Sequence, residues 1–358
     1  LEHRDLIKIL LAIATSFLVV LIATPALIRV AHLKKLVDAP GDSRKVHKRH
    51  IPTIGGILIF AGTLFSYLLW YPVVENADFK YIAACMIILF FIGIKDDLVG
   101  TAPVKKLIGH LVVAFILVIM ADIRITDMYG LFGVYDLPDW ASILLSVFTY
   151  TVVVNAFNLI DGIDGLAAGV ATISCVAYGI WFYLAGSIEN AILGFALAGA
   201  LIGFLVFNFE PAKIFMGDSG SLIIGLVVSV LAIKVIEYDT NKLPAELLLI
   251  SKPIFAMSVI VYPLMDTLRI FIYRTFRGRS PFSADRNHIH HKLIDLGLSH
   301  RASVAIIYTY TLLVISQAGL LVMEANRKFV FMTIVIVLLA QLPSYLVYRK
   351  QRNEKGKS

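Results

Sequence analysis

Apolar stretches long enough to cross a bilayer recur about eleven times in this chain, at 6–30, 52–71, 79–94, 105–121, 141–158, 167–185, 190–208, 221–237, 253–274, 302–323 and 328–348. A helix needs roughly 20 residues to span the hydrocarbon, so this pattern leaves few folds open. Inside lipid every backbone polar group must find its partner within the protein. The stretches are therefore expected as helices of an all-α, polytopic transmembrane bundle. A transmembrane β-barrel would show short alternating segments instead, and those are absent. The first stretch is too long for a signal-peptide core and lacks a convincing cleavage site, so it counts as a span. Pro263, inside the ninth, lacks a backbone donor and is expected to kink that helix.

Composition excludes a soluble enzyme of this size: 59% of the 358 residues are hydrophobic, 16% are charged, and the mean hydropathy is +0.83. Cys85 and Cys175 both fall in apolar runs and read as small core residues, with neither a disulfide framework nor a zinc site implied. The net charge of +7 is explained by basic loops without invoking nucleic acid. Alternate loops, with the tail, hold twenty Lys and Arg, whereas the opposite set holds six. Positive residues stay inside, so the N-terminus is expected outside and the C-terminus in the cytoplasm. The outer loop 122–140 is expected to form a small β-hairpin around Gly130 and Gly133. With no repeat and no separate soluble segment, residues 1–358 read as one integral-membrane domain.

Every polar cluster of interest falls in a loop of the cytoplasmic set. Asn155-Ala-Phe-Asn158-Leu-Ile-Asp161-Gly-Ile-Asp164-Gly places amides and carboxylates at every third position after an apolar run. Carboxylates are costly beside a bilayer, and a helix end with an Asx/Gly turn explains one Asp-Gly pair but not the series. Asp96-Asp97 sets two like charges side by side, which calls for a proton, a lysine or a metal to neutralise one of them. Mg²⁺ suits such a pair, because it takes one or two carboxylates together with water and substrate phosphates. The plainer reading is a solvated helix end balanced by Lys95, Lys105 and Lys106.

In Asn208-Phe-Glu-Pro-Ala-Lys-Ile-Phe215-Met-Gly-Asp218-Ser-Gly-Ser, a carboxylate sits where a turn meets a helix start, beside backbone N–H groups that suit phosphate. The plain reading is that Asp218 or Ser219 caps the next helix. Arg277-Gly-Arg279-Ser-Pro-Phe-Ser-Ala-Asp285-Arg-Asn-His288-Ile-His290-His291 combines cations with imidazoles. His288 and His291 share a face if helical, but without a cysteine nearby diphosphate binding is favoured over zinc. The basic loop Arg44-Lys-Val-His-Lys48 attracts anionic groups and also serves as an orientation signal. Asp266 is expected to pair with Arg269 or Arg274.

With these motifs in this order, the chain resembles the polyprenyl-phosphate N-acetylhexosamine-1-phosphate transferases from about Lys45 to His291. The loop Gly278-Arg-Ser-Pro-Phe…Asp285-x-x-His288-Ile-His290-His291 looks like the branch that transfers GlcNAc-1-phosphate to undecaprenyl phosphate. The peptidoglycan branch, which makes phospho-MurNAc-pentapeptide lipids, carries three consecutive histidines instead. The resemblance implies transfer of a sugar-1-phosphate from a UDP-N-acetylhexosamine to undecaprenyl phosphate at the inner membrane, releasing UMP. The product would be the first lipid-linked intermediate of O-antigen, enterobacterial common antigen, teichoic acid or a related glycan. It also implies Mg²⁺, with Mn²⁺ able to replace it.

On this resemblance Asp218 is the principal metal ligand, with Asp97 on the metal or the acceptor, and Asp96 orients or deprotonates the polyprenyl phosphate. Asp161, Asn158, Asn208 and Phe215 would hold uridine, while Lys48, Lys105, His288, His290 and His291 would hold phosphates. Asn155, Asp164 and Arg279 complete the expected substrate-binding set. The implied partners are the two substrates and the bilayer, with no nucleic acid; a homodimer stays open. A CDP-alcohol phosphotransferase would need an arginine after its Asp-Gly motif, which Asp161-Gly-Ile-Asp164-Gly lacks. A secondary transporter would place its polar residues near the midplane, reachable from both sides.

Overall fold

The computed structural model describes residues 3–38, 51–72, 78–276, 278 and 287–355. Its helices are α1 (His3–Leu33), α2 (Gly56–Trp70), α3 (Asp78–Val99), α4 (Pro103–Phe115), α5 (Asp139–Leu159), α6 (Leu166–Ala185) and α7 (Ile188–Asn208). Then come α8 (Asp218–Ile236), α9 (Ala245–Leu248), α10 (Lys252–Val259), α11 (Val261–Phe276), α12 (Ile289–Asp295), α13 (His300–Leu320) and α14 (Ala325–Lys355). A π-helical turn, Ile116–Met120, extends α4. Strands β1 (Val37–Asp38) and β2 (Ile51–Pro52) pair antiparallel, Val37 with Pro52 and Asp38 with Ile51.

Each expected apolar stretch lies on one of these helices or on the α10–α11 pair. Among the described residues, eight helices are long and apolar enough to cross a membrane, and α10 with α11 makes a ninth if the bent pair is one span. The 15-residue α2 is shorter, and α3 ends in Lys95, Asp96 and Asp97. The bundle has a centre and a rim. α8 is buried along nearly its whole length, with α3 and α5 packed on it, whereas α1 and α14 expose most of their apolar side chains. An all-round apolar helix belongs inside a large core or in lipid, and the broad outer face of α14 suits hydrocarbon.

The kink of the ninth stretch is a break: α10 and α11 meet at 74°. Pro263 stands in the first turn of α11, where its missing N–H leaves the Val259 carbonyl without its helical donor. The neighbouring α6 supplies partners. The Ser174 hydroxyl lies 3.0 Å from the Val259 oxygen, and the Tyr178 hydroxyl donates to the Ala256 oxygen at 2.7 Å. The expected hairpin at 122–140 is present but short: Asp127 bridges Asp136 around a 3-10 turn, Leu131–Gly133, with the Met128 N–H donating to the Tyr135 oxygen at 3.2 Å, the Gly130 N–H to the Val134 oxygen at 2.9 Å and the Leu137 N–H to the Thr126 oxygen at 2.8 Å. The Thr126 N–H donates outside it, to Glu237 at the end of α8, at 2.8 Å.

Candidate active site

The polar clusters gather where α3, α5, α7 and α8 end or begin. The last turn of α3 carries Asp96 and Asp97, beyond the apolar run. The turn 160–165 links α5 to α6, and the loop 209–217 links α7 to α8. The loop lies along the start of α2: the Phe215 N–H donates to the Pro52 oxygen at 2.7 Å, and the Gly55 N–H to the Phe215 oxygen at 3.0 Å.

Asp218 begins α8, but it does not cap that helix through its side chain. The residue before it, Gly217, has φ +72°, and a Cβ there would stand 2.2 Å from the Thr53 oxygen and 2.7 Å from the Asp97 carboxylate. The cap arrives from α3. Asp97 accepts the N–H of Asp218 at 2.6 Å, the N–H of Ser219 at 3.0 Å and the hydroxyl of Ser219 at 2.6 Å. The next two N–H groups, of Gly220 and Ser221, bond to the Gly217 oxygen. The first turn of α8 therefore keeps no free donor for a phosphate, contrary to the expectation from its position. These bonds make Asp97 the cap of α8.

The cap leaves the Asp218 side chain facing its neighbours. Asn158 donates to Asp218 Oδ1 at 2.9 Å and to the Ser221 hydroxyl at 3.0 Å. Lys106, on α4, bridges Asp218 and Asp96, lying 3.2 Å from the latter. The side chains of Lys106, Asp96 and Asp218 are 18–21% exposed, so the cluster is accessible yet largely desolvated. Lys105, the expected phosphate ligand, is exposed on another face of α4, since adjacent helical residues point about 100° apart. The neighbouring Lys106 is the lysine that reaches the carboxylates.

Asp161 has no hydrogen-bond acceptor role among the described residues. Desolvation, with Asp218, Asp97 and Asp164 nearby, pushes its carboxyl up to about 7. A protonated or cation-bound state relieves that crowding. No ready-made group of three or more His, Cys, Asp or Glu ligands exists among the described residues. The donor set still fits Mg²⁺, which completes its shell with water and substrate phosphate, and the Lys106 ammonium already fills a cation's place between two carboxylates.

Several expected ligands prove to be fasteners. Asn208 is buried, accepts the Gly165 N–H at 3.0 Å and donates to the Ile214 oxygen at 2.9 Å, tying the turn 160–165 to the loop 209–217. Asp164 adds a second tie by accepting the Ala212 N–H at 2.9 Å. Asn155 turns away from Asp218, with its amide 2.7 Å from the Thr151 oxygen and 3.3 Å from Nδ1 of the buried His110. These bonds give Asn155, Asp164 and Asn208 partners within the protein, in addition to the substrate contacts expected of them. Phe215 is half-buried at the rim.

The histidine loop docks on the same turn. A Cβ on Gly162 would come within 2.8 Å of His290 Nε2, so glycine is what lets the imidazole pack there. His288 caps α12 and its Nδ1 is 2.7 Å from Asp266, which also accepts the Ile289 N–H at 2.8 Å. Asp266 thus holds the histidine loop, beyond its expected pairing with Arg269 at 3.5 Å. Burial pushes the His290 imidazole down to about 3, which favours its neutral form. His291 is the least buried of the three. Lys48 and Arg279 lie outside the described residues.

The sequence offered Lys106 only as one of three lysines balancing Asp96 and Asp97, and gave no role to His110 and no sign of the reach of Asp266. The spacing of Lys106 four residues before His110 was visible, but neither carried a motif of its own.

The family model described as glycosyl transferase family 4 matches residues 79–236, which hold Asp96, Asp97, Asp161 and Asp218. A probable undecaprenyl-phosphate N-acetylglucosaminyl 1-phosphate transferase of Bacillus subtilis (strain 168) is 34% identical over 86% of this chain and 83% of its own length. A decaprenyl-phosphate N-acetylglucosaminephosphotransferase of Mycolicibacterium smegmatis is 31% identical over 87% and 82%. The undecaprenyl-phosphate alpha-N-acetylglucosaminyl 1-phosphate transferase of Escherichia coli (strain K12) is 29% identical over 92% and 89%. With one-third identity sustained over most of both chains, this protein belongs to the polyprenyl-phosphate N-acetylhexosamine-1-phosphate transferase family.

Proposed function

We propose that the protein transfers N-acetylglucosamine-1-phosphate from UDP-GlcNAc to undecaprenyl phosphate, releasing UMP. The acceptor's phosphate oxygen attacks the sugar-linked phosphorus of the donor. A new P–O bond forms as the bond to the UMP oxygen breaks, and UMP leaves with that electron pair. The second pKa of a phosphate is about 6, so the acceptor is already a dianion at neutral pH and direct attack needs no strong base. Positioning and charge neutralisation carry the rate of such a transfer.

The observation that carries this reading is the Asp218 carboxylate, freed from capping by Asp97 and held by Asn158 beside Asp96 and Lys106. Asp218, with Asp161 or Asp96, would hold Mg²⁺ or Mn²⁺, whose bound charge neutralises the donor's diphosphate. Asp96 then faces the acceptor phosphate. Asn208 and Asp164 fix the two loops between which the nucleotide enters, with Phe215 at the rim offering a ring to the base. His291 would add to anion binding, and the family resemblance assigns the same work to Lys48 and Arg279. We place the protein in the inner membrane as one domain with this site towards the cytoplasm, where the soluble donor meets the headgroup of the lipid acceptor. The excess of Lys and Arg in the loops on that side supports the placement. A transporter reading finds no support, because the polar residues sit at helix ends and not in the middle of the bundle.

The test is incubation of purified protein with radiolabelled UDP-GlcNAc, undecaprenyl phosphate and Mg²⁺. Labelled lipid and UMP should appear together, in equal amounts, only with metal present. No metal-dependent product from any UDP-N-acetylhexosamine would sink the assignment.

A further inference from the structure

Two carboxylates, Asp96 and Asp218, share the Lys106 ammonium in a recess largely closed to water, with Asp161 near enough to Asp218 to feel its charge. Like charges this close need a counter-ion in a low-dielectric setting. A lysine is a compact charge on a flexible four-carbon stem, able to leave one partner for another without moving the backbone. Lys106 lies in the first turns of α4, with its ammonium bridging side chains from α3 and α8.

We propose that Lys106 is the exchangeable counter-ion of the site: its ammonium holds the place of a divalent cation between Asp96 and Asp218 and yields it as metal and donor enter together. This rests on the metal-dependent transfer proposed above. A doubly charged cation arriving with a doubly charged diphosphate leaves the net charge of the recess as Lys106 had set it. The displaced ammonium then meets the new negative charge of the diphosphate. Before the donor arrives, Lys106 competes with the metal; afterwards it assists the donor's binding. Metal bound without nucleotide is thereby held weakly, which ties occupancy of the cation site to the presence of substrate.

The experiment is Mn²⁺ binding to the purified full chain in detergent, read from the electron paramagnetic resonance of free Mn²⁺, with and without UDP-GlcNAc. Without nucleotide, K106Q should bind Mn²⁺ at least about tenfold more tightly than the unaltered protein, since a neighbouring unit charge has been removed. K106R keeps the charge in a fork that grips two carboxylates, and should bind Mn²⁺ no more tightly than the unaltered protein. Adding UDP-GlcNAc should strengthen Mn²⁺ binding more in the unaltered protein than in K106Q. Equal or weaker Mn²⁺ affinity in K106Q, without nucleotide, overturns the proposal. If K106Q does not fold, tighter Mn²⁺ binding by K106R does so. An unaltered protein that binds no Mn²⁺ in either condition overturns the metal-dependent reading itself.

Discussion

Asp97→Ala strips the first turn of α8 of a cap supplied from another helix. Three hydrogen bonds go: two from the N–H groups of Asp218 and Ser219, at 2.6 and 3.0 Å, and one from the Ser219 hydroxyl at 2.6 Å. Hydrogen bonds to a charged partner contribute about 1.5–3 kcal/mol each, and a buried donor left unpaired costs about 1–3 kcal/mol. Asp97 is only half-buried, so water replaces part of the loss, and the cost of desolvating its charge disappears with it. The net effect should fall near the low end of the sum, at about 3–5 kcal/mol. Asp97→Asn keeps one acceptor oxygen but turns a donor towards other donors, for about 1–3 kcal/mol; Ser219→Ala loses one bond, for about 1 kcal/mol. Thermal unfolding in one detergent, at fixed metal concentration, should rank the variants as Ser219→Ala mildest, Asp97→Asn next and Asp97→Ala most severe. Turnover should fall in the same order, because Asp218 loses its position as the helix start loosens. If Asp97→Ala abolishes turnover at an unchanged melting temperature, Asp97 acts on substrate or metal and the capping argument is wrong.

Asp218→Asn should retain the fold, since its amide oxygen still accepts from Asn158, yet reduce turnover by at least about 100-fold, as measured by UMP release. Asp161 gives a pH signature in metal-free protein. Its carboxyl is raised from 3.8 to about 7 on folding, so the folded state holds the proton more tightly. That contribution to stability is present at pH 4 and is lost as the pH rises through 7; melting with EDTA should show the decline, Mg²⁺ should oppose it, and Asp161→Asn should flatten it. Asn208→Ala breaks the bonds to Gly165 and Ile214 but leaves the Asp164–Ala212 tie, and should cost about 2 kcal/mol in stability while raising the KM for the donor more than that for the acceptor. Gly162→Ala drives a methyl against His290, so it should lower activity while His290→Ala in the same chain partly restores it.

What the sequence determined by itself is what depends on local pattern. Apolar length dictates helices in lipid, and each expected stretch is helical for that reason. The break at Pro263 follows from a missing donor, and the Asn, Asp and Gly motifs mark helix ends where carboxylates escape the hydrocarbon. Tertiary structure decided which member of each adjacent pair faces the site. Asp96 and Asp97, like Lys105 and Lys106, are one residue apart and so about 100° apart around a helix. Only packing against α8 turns Lys106 and Asp96 towards Asp218 while sending Asp97 to its backbone, across 121 residues of sequence. The same applies to Asn208, whose motif position reads as a ligand but whose amide joins two loops. A motif names the residues that meet; the rotation of the helices that carry them determines which one touches the chemistry and which one holds it in place.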